Sequence, residues 1–449
     1  MKDNMKEAID RSKAKIIGYK GDVLFFTGNP AFDENAYKFY NDGVLFVQNG
    51  KVLDVGYYLV LKSKYPNAEI VDYTGKLITP GFIDSHVHYG QMEMVAAYGE
   101  QLVQWLQKYT IPTERKLEDN DYAELIANIY LDDLIRNGTT TASVFATIAS
   151  GSSDELFKAS LKRNMRMIAG SAFMDENAPD YARLPAVQVY DFNSDLIKKW
   201  DNNGRLNYSV TPRSAYLLSE AEMEASSAVV KAFPGIRIQT HLAENKESGD
   251  MVQRMFPGVK DYTSVLDKYN LLTDKTTLGH CIWLSDEEFQ LIEARGSTCA
   301  FLPTSNLFLG SGLFNLQKAN KHGATVGLGT DYAAGTSLSM LKTMGEAYKV
   351  TQLRKAFVDD PSTIEVLSPL ENFYLATLGA AKALSIDEYV GSFKVGMEAD
   401  FIVLNPKATP AMEIRSKQNH SITDELFAFQ IMGADRAVQH TYIMGKKMK

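Results

Sequence analysis

The chain has 449 residues, of which 45% are hydrophobic and 23% charged. That composition excludes a disordered chain, a collagen-like repeat and a coiled coil, and leaves ample length for a large core. Net charge is −8 with no Lys/Arg cluster, which argues against nucleic acid polymers and anionic membranes as partners. The two cysteines, Cys281 and Cys299, are too few for a disulfide framework or a four-thiolate zinc site. The segment Met1–Lys15 is highly charged with no apolar stretch, so no signal peptide is expected. No apolar run approaches ~18 residues, so no transmembrane helix is expected and the reading is a cytoplasmic protein.

In chain order, the first part is β-prone. Asp22–Phe26 and Gly43–Val47 read as short strands, and Asn49-Gly50 as a two-residue hairpin turn into Lys51–Val55. This predicts a small antiparallel unit without helix. From Leu77–Asp84 onwards, strands and helices alternate. Predicted strands are Thr139–Phe145, Met165–Ala172, Tyr208–Thr211, Ile236–His241, Thr277–His280, Thr298–Phe301 and Thr325–Leu328. Predicted helices are Asp121–Asn137, Ser153–Arg163, Ser219–Ala232, Glu247–Phe256, Asp286–Arg295 and Leu313–His322. Such alternation over about 300 residues fits a parallel (β/α)8 TIM-like barrel. A doubly wound open sheet is the alternative, but no GxGxxG fingerprint follows a strand. After about Ala383 the β character returns, in Phe401–Leu404 and His440–Lys447. Both chain ends are therefore expected to build one small β-sandwich domain, residues 1–80 plus 386–449, around a barrel of residues 81–385.

The chain has seven histidines, and two of them, His86 and His88, sit one residue apart at a strand end. In a strand, residues i and i+2 point to the same side, so two imidazoles converge. His241 ends another predicted strand, with Glu244 three residues on as a candidate general acid/base. His280 ends a third strand, and Asp331 follows a fourth. Taken singly, a strand-end histidine reads as a polar cap and Asp331 as a helix N-cap. Taken together, they all fall at predicted carboxyl ends of barrel strands, where barrel enzymes build their sites. Three imidazoles and a carboxylate suit Zn2+ or another borderline divalent ion, which lowers the pKa of bound water. His280 and Asp331 can then orient the hydroxide. His322 reads as a helix C-terminal residue, and His420 and His440 as surface residues.

The segments Pro80–His88, Thr240-His241-Leu242-Ala243-Glu244 and Gly329-Thr330-Asp331 resemble the amidohydrolase superfamily. The likeness narrows to the guanine deaminase family on Tyr98–Leu102, Trp105–Pro112, Asn137–Ala142, Val210–Arg213, Tyr262–Val265 and Pro303–Leu307. It covers nearly the whole chain, from about Asp22 to Lys447. The resemblance implies hydrolytic deamination of guanine to xanthine and ammonia, with one divalent metal per chain, Zn2+ or Fe2+. It implies His86, His88, His241 and Asp331 as metal ligands, His280 as partner of the hydroxide and Glu244 as proton shuttle. Gln91, Trp105 and Arg213, with Glu244, match positions that bind the purine. It further implies a homodimer. Tyr208–Arg213 holds no lysine with which to bridge a second metal. The chain departs from the family pattern at Ser214, Phe301 and Tyr332, positions expected at the pocket wall. Two alternatives stay open: a deaminase of the same branch acting on 8-oxoguanine, a pterin or a triazine, and a catalytically silent structural relative.

Overall fold

The structure, a computed structural model, describes residues 15–449. The leader expectation therefore rests on residues outside the described ones, apart from Lys15. The first strands are β1 (Ile17–Phe26), β2 (Tyr37–Gln48), β3 (Lys51–Tyr57) and β4 (Glu69–Pro80). Asn49 and Gly50 both adopt left-handed backbone, φ 53° and 74°, which is what a tight two-residue hairpin between β2 and β3 requires. The expected all-antiparallel unit is corrected at β4, which pairs with β1 in parallel. A parallel neighbour needs a crossover, and the helix Tyr58–Lys64, which the sequence reading lacked, lies in it.

Eight further strands form the barrel: β5 (Phe82–His88), β6 (Thr139–Ala146), β7 (Arg166–Phe173), β8 (Leu206–Pro212), β9 (Arg237–Leu242), β10 (Thr276–His280), β11 (Thr298–Phe301) and β12 (Thr325–Leu328). They lie in sequence order, each parallel to the next. Every residue of β5, β6 and β7 is buried, as expected for strands covered on both faces. The seam between β12 and β5 is closed by the segment after β12. Asp331 N–H donates to His86 O at 2.9 Å, and His88 N–H to Tyr332 O at 3.2 Å. This closure carries Asp331 to the histidine strand.

The strands β13 (Phe401–Leu404), β14 (Val438–Ile443) and β15 (Lys446–Lys447) complete the other sheet, in the order β15-β14-β13-β4-β1-β2-β3. β13 pairs antiparallel with the end of β4, Phe401 opposite Pro80. The far edge, β3, returns to the lead-in of β13 through a Lys51–Glu398 bridge. The sheet thus folds over a core of its own, including Tyr19, Val23, Phe25, Ile78, Phe401 and Tyr442. It joins the amino-terminal end of the barrel through buried ion pairs. Arg205 reaches Glu398 at 2.7 Å and Asp400 at 2.5 Å, and Arg166 reaches Glu398 at 2.7 Å.

Additional helices, Ala186–Trp200, Met340–Ala356, Pro369–Leu375, Leu378–Ala383 and Ile422–Met432, were not legible as such. Among the described residues, no helix is long and apolar enough to cross a membrane. His322 caps its helix and meets Asp286 at 2.9 Å, and His420 is exposed, both as expected. His440 is half-buried instead: it lies on β14, its ring 5.4 Å from that of Tyr73.

Candidate active site

The carboxyl ends of β5, β9, β10 and β12 converge on one buried cluster. His86 and His88 share one side of β5, and His241 comes from β9. His88 Nε2 lies 3.2 Å from His241 Nε2. Asp331 Oδ1 lies 3.5 Å from His86 Nε2 and 3.4 Å from His88 Nε2. Four donors in a tetrahedron at ~2.0–2.1 Å from a common centre lie about 3.3 Å apart, so these three separations match edges of a zinc-sized cage.

The protonation pattern agrees with that cage. His241 Nδ1–H donates to the Arg213 carbonyl at 2.7 Å, which leaves Nε2 its lone pair. His86 Nε2 is buried with no hydrogen-bond partner, an orphan donor atom that a cation satisfies. Burial holds all three imidazoles below their ordinary pKa, hence neutral, as ligation requires. Burial opposes ionisation of Asp331 too, but its contact with His86 Nε2 and the neighbouring imidazole nitrogens outweigh it and hold the carboxyl at about 2. Behind the cage, Asp84 accepts from Thr330 N–H at 2.9 Å and Thr330 Oγ at 2.5 Å; burial pushes its pKa to about 7.

His280 and Glu244 stand beside the four donors. His280 Nε2 lies 3.4 Å from Glu244 Oε2 and 3.9 Å from Asp331 Oδ2. Its other nitrogen, Nδ1, donates to Asn306 Oδ1 at 2.9 Å, which fixes the ring. Glu244 accepts from Ser311 Oγ at 3.2 Å. Burial raises its pKa above the ordinary glutamate value, and neighbouring Asp331 adds to the rise. Ala243, His280, Cys281 and Asp331 all take left-handed backbone, φ 47–71°, without being glycine. Strain of this kind concentrates where side-chain aim outranks backbone comfort.

The cluster opens into a pocket of about 380 Å³. Its lining brings together Gln91, Trp105, Arg213 and Glu244, residues named from the sequence, with His88, His241, His280 and Asp331. Leu102, Leu106, Thr110, Tyr216 and Leu217 supply further wall. The Trp105 ring is buried, 5.7 Å from Phe308, in a helical segment that contains a π-turn over Leu106–Thr110.

Of the three departures from the family pattern, only Ser214 lines the pocket, bonded to Tyr262 OH at 2.9 Å. Phe301 instead stacks on Phe314 in the core at 4.8 Å, because β11 is buried on both sides. Tyr332 contributes its carbonyl to the barrel seam. Sequence reasoning gave no role to Glu114, which pairs with Arg213 Nη1 at 2.7 Å, nor to Asn306 or Ser311. Asn306 carried a signal, since it lies in the quoted Pro303–Leu307 segment.

The chain matches the model of the Amidohydrolase family over residues 77–448. It is 44% identical to the guanine deaminase of Escherichia coli strain K12 over 426 residues, 95% of each chain. The E. coli guanine deaminase structure superposes with a TM-score of 0.92 at 43% identity, covering 96% of this chain and 99% of that one. A guanine deaminase from C. acetobutylicum, solved with guanine bound in the active site, gives 0.89 at 28% identity, covering 97% and 100%. The donor cage at the barrel mouth and these matches together assign the chain to the amidohydrolase family, among the guanine deaminases.

Proposed function

We propose that the chain hydrolyses guanine to xanthine and ammonia. The observation that carries this reading is the buried cluster of four candidate donors, His86, His88, His241 and Asp331, opening directly onto a pocket that holds Arg213, Gln91 and Glu244. Those four side chains would hold one divalent metal per chain, Zn2+ by donor type, with Fe2+ as the alternative that metal analysis distinguishes. Bound there, the cation supplies Lewis acidity that makes a water molecule acidic near neutral pH. Glu244 takes that water's proton as its oxygen adds to C2 of the purine. His280 and Asp331 orient the attacking oxygen. Glu244 then delivers the proton to N3, where the electron pair from the opened C2=N3 bond resides. Collapse forms the C2=O bond as the proton of the new hydroxyl passes to the exocyclic nitrogen, and the bond from C2 to that nitrogen breaks to release ammonia. Arg213 and Gln91 hold the C6 edge of the ring, and Trp105 forms part of the wall.

The raised pKa of Glu244 suits a group that accepts and returns a proton within one turnover. The division into residues 81–385 and the paired ends 1–80 and 386–449 belongs to the same proposal, supported by membership of the two sheets. A homodimer is part of it as well, since C2 pairing is the commonest closed assembly. Cys281 and Cys299 are buried free thiols, in keeping with a reducing, cytoplasmic setting.

The test is ammonia release from guanine, 8-oxoguanine, a pterin and a triazine, with metal quantified in the same preparation. Guanine is expected to give the highest kcat/KM at about one metal per chain. No ammonia from guanine, or faster turnover of another substrate, overturns the assignment.

A further inference from the structure

Glu114 lies behind the pocket, buried, and is not among its lining residues. It nevertheless touches two residues that are. Its carboxylate accepts from Arg213 Nη1 at 2.7 Å and Nη2 at 3.0 Å, a two-pronged pair that spends the fork of the guanidinium. The same Oε1 accepts from Gln91 Nε2 at 2.8 Å. A carboxylate paired with arginine has only acceptors to offer, so the Gln91 amide must turn its nitrogen toward Glu114. Its oxygen, Oε1, is then the group left for the pocket. Arg213 has only N–H donors, and those not engaged by Glu114 remain for a ligand.

We infer that Glu114 is a positioning residue that sets the hydrogen-bonding polarity of the pocket, and so selects purines with an oxygen at C6 over those with an amino group there. This deepens the proposed function and rests on it. A 6-oxopurine presents an acceptor, O6, and a donor, N1–H. These complement an Arg213 donor and a Gln91 acceptor. A 6-aminopurine presents the reverse, a donor at C6 and an acceptor at N1, so both contacts become like-with-like. Sites built around fixed buried donors and acceptors reject a mismatched partner far more strongly than apolar walls do. Without a carboxylate at 114, the Gln91 amide is free to turn over, and that polarity is lost.

Hypoxanthine and adenine test this directly. They differ at the N1/C6 edge, and neither carries an amino group at C2, so both report binding alone. Calorimetric affinities are measured on the metal-loaded wild type and on Glu114→Gln. The wild type is expected to prefer hypoxanthine by at least 100-fold. In Glu114→Gln the preference falls at least tenfold, because hypoxanthine binding weakens while adenine binding does not. A purely structural role weakens both purines equally, and that result, or an unchanged ratio, overturns the inference.

A second variant exchanges the two groups, Gln91→Glu with Glu114→Gln. The carboxylate at 91 again offers only acceptors to N1–H, so the hypoxanthine preference returns to within about threefold of wild type. A double variant that remains unselective overturns the inference even where the single variant fails to fold. Wild-type ammonia release from guanine is scored separately. Its absence removes the functional assignment, whereas an unaltered hypoxanthine/adenine ratio in the variants removes only the role of Glu114.

Discussion

Glu244 sits within reach of His280 in a position almost fully removed from water, and the proposed mechanism requires it to lose and regain one proton. Glu244→Gln keeps the shape and removes that ability. Its kcat is expected to fall about 10²–10⁴-fold with metal content unchanged, by steady-state assay and elemental analysis of the same sample. Asn306 acts one step back. It holds Nδ1 of His280, so Asn306→Ala lets the ring turn and is expected to lower kcat about 10–100-fold with KM little changed. At this scale the sequence was informative where chemistry is tied to strand geometry. Four histidines and an aspartate, each at or just after the carboxyl end of a strand, could be read as one cluster because barrel topology brings those ends together. Glu114 could not be read that way. It lies in a short helical turn far along the chain from Arg213, and nothing local to Thr113-Glu114-Arg115 distinguishes it from a solvated carboxylate.

Among the elements, the helix Glu220–Ala232 begins in an unusual way. Ser219 caps it by accepting from Glu222 N–H, but the Ser219 N–H that a capping-box glutamate would accept goes to Asp175 at 2.7 Å. Glu222 is left buried, with neither carboxyl oxygen partnered. Burial, reinforced by Asp175, pushes its pKa up to about 11. A raised carboxyl pKa gives stability that is complete below the ordinary glutamate value near 4.3 and drains away as pH rises toward about 11. Glutamine, neutral throughout, removes that dependence. Glu222→Gln is expected to gain on wild type as pH rises from 5 to 9, by up to about 1.4 kcal/mol per pH unit, in urea unfolding at each pH. The contrast with the helix Asp286–Ala294 shows why some elements were legible. That helix carries a complete capping box, Ser285 with Glu288, and was read within one residue. The helix Ala186–Trp200 has no capping side chain, starts after Pro185 and is rich in β-branched and aromatic residues in its first half. Only its packing, through Val189, Leu196, Ile197 and Trp200, makes it a helix.

Across the whole molecule, the ion pairs of Glu398 with Arg166 and Arg205 tie the terminal sheet to the amino-terminal end of the barrel, opposite the active site. Removing the shared carboxylate leaves the buried Arg166 guanidinium without its ion-pair partner and Arg205 with Asp400 alone. Glu398→Ala is therefore expected to cost about 3–5 kcal/mol in urea unfolding, with kcat at the intact site little altered. A divalent metal held at the proposed site would stabilise the same fold by mass action: chelation of the loaded protein is expected to lower Tm, and re-addition of the metal found by elemental analysis to restore it. The return of β character after Ala383 made a sheet built from both chain ends legible. The parallel β1–β4 pairing was not, because direction depends on the crossover and leaves no mark in the alternation of either strand. The pairing of Pro80 with Phe401 also sets a timetable. On a ribosome β1 to β4 emerge first, and the edge of β4 that β13 will cover then has no neighbour while the entire barrel is made. Those unpaired N–H and C=O groups are an opening for intermolecular strand addition throughout that interval. The nascent chain is thus open to aggregation while its candidate site residues are being synthesised and until its last strands arrive.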